Sequence, residues 1–125
     1  MKETRSNPRL KRANRSQLIF RTIHIDNLVE EDHPIRAILS FLERLDLNAF
    51  YQDIEVQEGA AGRSATDPQI LIAIWIYAYS QGVSSARQIE RLCEYHPAYQ
   101  WLTGMEIINH HTLSDFRIKH SRALD

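Results

Sequence analysis

Four cations stand in two short stretches that read as helices: Arg87 and Arg91 after Ser85, and Arg117 and Lys119 after Thr112. An exposed cation near the start of a helix can meet phosphate oxygens or base edges, and arginine can pair with guanine through two bonds. Arg87 follows directly on the Ser85 cap and is the leading candidate for a base edge. Arg117 lies further into its helix, placed for a phosphate or for locking the fold. A second group, Arg9, Lys11, Arg12 and Arg15, belongs to an N-terminal stretch with almost no apolar residues. Such an arm can neutralise phosphates without sequence preference. The plainer alternative is a solvated charged face, with Glu90 and Glu94 pairing with their helix's arginines, and a solvated, disordered terminus.

Other chemistries fit less well. His96, His110 and His111 with Cys93 lack a second cysteine, and adjacent histidines point different ways, so no metal site and no cofactor are assigned. Cys93 reads as a small core residue. Trp75, Tyr77, Tyr79 and Trp101 could stack on bases, but they lie in or against the most apolar helix and read as core.

The elements that position these residues are helical. Asp67 and Pro68 open a run whose residues 70–79 are apolar on every face, predicting a central helix over 68–81 packed on all sides. Gly82 stops it, because glycine tolerates the left-handed conformation past a helix end. The run is too short to cross a bilayer. Ser85 and Gln88 have capping-box spacing. They open a helix over 86–94 with Ala86, Ile89, Leu92 and Cys93 on one face and Arg87, Glu90, Arg91 and Glu94 elsewhere. A buried helix, a short turn and an amphipathic helix give the outline of a helix-turn-helix unit.

Upstream, residues 1–17 read as disordered. Leu18, Ile19 and Phe20, with Ile23 and Ile25, predict an extended segment docked on the helices. Asp32 or His33 caps a helix with Pro34 in its first turn and Ile35, Ile38, Leu39, Leu42 and Leu45 as its buried stripe. Residues 47–51 suggest a short helical turn, 53–58 a brief strand, and 59–64 a flexible link. Downstream, Pro97 breaks the chain and begins a short helix over 97–102 that ends at Gly104, with Tyr99 and Trp101 packed on the 68–81 helix. After a connector over 105–109, Thr112 starts a last helix with Phe116 inward and Arg117 and Lys119 outward.

One cysteine in 125 residues excludes an internal disulfide, and with no apolar leader or membrane run the expected compartment is the cytoplasm. The formal net charge of −1 hides an asymmetry: residues 1–21 hold seven cations against Glu3 alone, while residues 22–66 hold nine carboxylates against Arg36, Arg44 and Arg63.

In chain order stand Asp67 and Pro68; Gly82, Val83, Ser85, Arg87, Ile89 and Glu90; Ala98, Tyr99, Trp101, Leu102 and Gly104; and His111, Thr112, Leu113, Ser114, Asp115, Phe116 and Arg117. This ordered set resembles the N-terminal domain of bacterial insertion-sequence transposases, of the InsH, IS5-like and IS1182-like kinds, over residues 18–122. The resemblance implies a helical domain that precedes a catalytic DDE domain and serves end recognition and assembly on DNA. A DDE nuclease needs three carboxylates converging on two metal ions. In the resembled family these belong to the downstream domain, whereas Asp26, Asp53, Asp67 and Asp115 fall at caps, turns or loops.

The resulting expectation is a mainly α, compact helical domain over 18–125 with a helix-turn-helix-like unit and a disordered basic arm over 1–17. It is expected to bind DNA at transposon ends as the front part of a transposase, a fragment or truncated product that is not an enzyme on its own. The alternatives are an oligomerisation or interaction domain, meeting another copy, and an inactive relic that regulates the full-length transposase by mixed assembly.

Overall fold

A computed structural model describes residues 9–48 and 66–120. Among these, regular structure consists of five α-helices and one 3-10 turn, with no strand. Taken in chain order, the helices are α1 (Pro34–Glu43), α2 (Pro68–Ser80), α3 (Ala86–Tyr95), α4 (Pro97–Thr103) and α5 (His110–Lys119). The mainly α architecture follows the sequence.

α2 is the centre. The Asp67 carboxylate accepts the Gln69 N–H at 2.9 Å, and Pro68 opens the helix. Leu71, Ile72, Ala73, Ile74, Trp75, Tyr77 and Ala78 are all buried, so neighbours enclose most of its circumference. Gly82 adopts φ +77°. Its N–H bonds to Tyr79 at 3.1 Å and the Val83 N–H reaches Ala78 at 2.8 Å, the paired bonds of a Schellman stop.

α1 packs along α2. His33 caps α1, its Nδ1 accepting the Ile35 N–H at 3.0 Å. Ile35 and Leu42 are buried and Ile38 and Leu39 pack partly against the core. Leu45 departs from the expected stripe, 45% exposed. α1 stops at Glu43, and past its end the helical spacing no longer points Leu45 at α2.

α3 buries Ala86, Ile89, Leu92 and Cys93, the face read from the sequence. It packs on α4 and α5 more than on α2. The helix-turn-helix outline is therefore present in order and turn, while the support of its second helix comes from downstream. His96 ends α3 and caps α4, its Nδ1 accepting the Ala98 N–H at 3.2 Å. Tyr99 is buried edge-on to Tyr77, ring centres 5.5 Å apart. Gly104 at φ +64° and Met105 at φ +71° then turn the chain sharply into the connector.

Two expectations about the last helix need correction. α5 begins at His110 rather than Thr112, because the Asn109 side chain accepts the His111 N–H at 2.7 Å and Glu90 accepts the His110 N–H at 2.6 Å. Those bonds satisfy the first orphan donors before Thr112 is reached. Arg117 is also partly buried, lying across Trp75 rather than projecting wholly into solvent.

The N-terminal segment docks later than expected. Leu18 and Phe20 are 98% and 105% exposed, and Ile19 and Ile23 are exposed too. Docking begins near the 3-10 turn at Ile25–Leu28, which packs on α4. Arg36 organises it, donating to the Asp26 carboxylate at 3.0 Å and to the carbonyls of Val29 and Glu30, both at 2.9 Å, as well as to the Asp26 carbonyl. Trp101 donates its indole N–H to Asp26 at 3.0 Å and lies beneath the Arg36 guanidinium at 4.9 Å. Its polar edge thus serves this docking rather than α2 alone. Residues 18–20 make no such polar ties. Leu47 is buried. The rest of the expected 47–51 turn, the strand over 53–58 and the link over 59–64 lie outside the described residues, as do 1–8 of the arm.

Candidate nucleic-acid interface

The turn from Gln81 to Ser85 delivers the first residues of α3. Ser85 Oγ accepts the Gln88 N–H at 3.2 Å, so the helix starts where the sequence places its cap. Burial of Ala86, Ile89 and Cys93 fixes the rotation of α3. Arg87 and Arg91 therefore lie one helical turn apart on the exposed side. Neither side chain makes a hydrogen bond or ion pair with a described residue.

The expected pairing of Glu90 with these arginines does not form. Glu90 instead accepts from His110 twice, from the backbone N–H at 2.6 Å and from Nδ1 at 2.7 Å. The His110 side chain, then its backbone N–H, holds the Glu90 carboxyl below the ordinary carboxylate range. With Glu90 bonded to His110, its carboxylate forms no ion pair with either α3 arginine.

Arg117 occupies a different environment. Its guanidinium lies 4.2 Å from the centre of the Trp75 ring and donates to the Ser84 carbonyl at 2.5 Å. Trp75, 0% exposed, donates its own indole N–H to the Leu113 carbonyl at 3.1 Å. Lys119 is exposed in the last turn of α5, where a cation suits the negative end of the helix dipole.

Residues 9–23 are exposed, and they carry five cations, Arg9, Lys11, Arg12, Arg15 and Arg21, with no carboxylate. Asp26 is occupied internally: the Trp101 hydrogen bond, then Arg36, lowers its pKa. Asp67 is a helix cap, and Asp115 lies within α5 rather than at a cap or loop. Among the described residues no three of His, Cys, Asp and Glu come together as a metal cluster, and no helix is long and apolar enough to cross a membrane. Sequence reasoning missed Arg36 and the Glu90–His110 pair. Both join residues through the fold, and no local spacing announces them.

A buried helix, a glycine stop and a capped helix showing two arginines give a compact, mainly helical domain with a helix-turn-helix outline. A family described as Transposase domain (DUF772) matches residues 23–119, and the chain belongs to that family. No curated protein and no solved structure matches it. Membership links the domain to transposition.

Proposed function

We propose that this domain binds transposon-end DNA, with α3 presented to the bases and the N-terminal stretch to the phosphates. The observation that carries the reading is the pair Arg87 and Arg91. They are exposed one turn apart on a capped helix, Arg87 in its first turn and Arg91 in its second, and their helix neighbour Glu90 is drawn off to His110. Arginines in the first turns of a recognition helix are suited to base edges in the major groove. The cations of residues 9–21 add affinity that does not depend on sequence. The domain recognises and assembles, and strand cleavage belongs to the catalytic domain that the family resemblance implies.

Selection from a randomised duplex pool tests this. The selected duplex is then titrated in competition with a scrambled one at fixed salt. Arg87→Ala should relax preference at one position by about 1–3 kcal/mol. An equal loss for both duplexes, or no change, removes α3 as the reader.

A second reading rests on Leu18, Ile19 and Phe20, which lie exposed in the chain. In that reading the domain is an assembly module, and these side chains pack on another copy or on a full-length transposase. A concentration-dependent mass in solution, abolished by Leu18→Ser with Phe20→Ser, supports it.

A further inference from the structure

The proposed reading helix needs a fixed angle, and α3 packs on α4 and α5 more than on α2. Two side-chain ties run to α3 from α5. In the turn just before α3, Arg117 donates to the Ser84 carbonyl at 2.5 Å while its guanidinium carbon lies over the Trp75 ring, 4.2 Å from the centroid. One helical turn into α3, Glu90 accepts both the His110 N–H and its Nδ1. The ties fall on either side of Arg87 in the sequence. Apolar contact between α3 and α5 alone allows sliding, whereas two directional ties fix both tilt and rotation.

We infer that α5 is a brace for the reading helix, with Arg117, Glu90 and His110 as positioning residues that set where Arg87 and Arg91 point. This deepens the DNA-binding reading and rests on it. The brace makes Arg117 a residue for specificity without DNA contact. Arginine suits the post because its planar guanidinium can stack on the indole and donate in-plane to a carbonyl at once. Lysine carries the same charge without that fork. His110 contributes a donor aimed at Glu90, which asparagine can reproduce from nearly the same place.

Two measurements on the full chain separate the brace from its rivals. The first needs no DNA: amide hydrogen exchange across residues 84–91. Arg117→Lys and His110→Ala should speed exchange there and leave α1 unchanged, and His110→Asn should restore protection. The second is competition binding of the selected duplex against its scramble over a series of salt concentrations. Arg117→Lys should lower the preference ratio roughly tenfold with non-specific affinity and salt slope unchanged.

If Arg117 instead touched a phosphate, lysine would sustain binding and alanine would lower the salt slope by about 0.9. That result overturns the brace, as does unaltered exchange over 84–91 in both variants. Faster exchange together with a wild-type chain that shows no sequence preference keeps the mechanical brace and overturns its service to DNA reading.

Discussion

α3 and α5 are twins in the sequence and opposites in the fold. Each is ten residues long, each begins on a polar cap, and each carries cations after it. On α3 the arginines look outward and find no described partner. On α5 Arg117 meets an indole face and a carbonyl and is absorbed. The difference is not in the helices but in what lies beside them. A cation is available to a ligand only where the fold offers it neither an aromatic plane nor a spare acceptor, and Trp75 supplies the plane on one side alone.

The comparison breaks most completely at Trp75 itself. Trp75→Ala removes the floor under Arg117, the bond to Leu113 and a fully buried ring, and should cost about 3–5 kcal/mol, read by thermal or urea unfolding. An unfolding curve like that of the wild type would mean that α2 is not the centre of the core.

A smaller and more selective effect is expected at Arg91. Arg91→Ala should weaken binding to the selected duplex by about 1 kcal/mol or more while leaving unfolding unchanged, since the side chain bonds to no described residue. A stability loss would show that α3 resembles α5 after all.

The cap comes next. Ser85→Ala should destabilise the chain by about 1 kcal/mol, and protection should fall first at Gln88, whose N–H the hydroxyl receives. Deleting residues 1–17 should leave the unfolding curve intact and reduce the salt slope by about 0.9 for each phosphate that the arm had neutralised. An unchanged slope removes the arm from DNA binding.

The smallest effect concerns protons. Burial, then the neighbouring His33, pushes the His96 pKa below its ordinary 6.5. His96 is flanked by Tyr99, edge-on at 5.1 Å, itself pushed up to about 12 by burial and close to Tyr77. Its neutral Nδ1 accepts the Ala98 N–H, and a proton there abolishes the acceptor. The folded pKa lies below the unfolded one, so this stability is complete above about pH 6.5 and is lost as pH falls through the folded value. His96→Asn keeps a capping oxygen and does not titrate. Melting temperatures from pH 7 to 5 should therefore decline less for His96→Asn than for the wild type. Glu90 and Asp26, both lowered, add their loss at more acid pH, below the ordinary carboxylate range.

Local grammar made much of this legible. Asp67 and Pro68, Gly82, Ser85, Pro97 and Gly104 each act through backbone bonds within a few residues, and the helices begin or stop where those residues demand. The buried face of α3 followed from helical spacing. Thr112 misled because a better cap, Asn109, stands three residues earlier and is supported from α3 by Glu90. Leu18 and Phe20 misled because apolar character says what would gain from burial, not what surface is there to receive it. The lie of Arg117 depends on Trp75, 42 positions away, which no periodicity encodes. The family resemblance read from ordered residues agrees with the domain match, and it drew on turn and cap positions such as Asp67, Gly82, Ser85 and Gly104 together with core positions such as Ile89, Tyr99 and Leu113.

Cys93 gives the α3 surface a clock. It is the chain's sole cysteine, 1% exposed on the buried face of α3. Burial pushes its thiol up, against a backbone hydrogen bond from Ile108 in the connector to α5. A thiol reagent can reach it only during openings in which α3 lifts from its bed. The labelling rate of the native chain therefore reports on those openings, with no engineered probe.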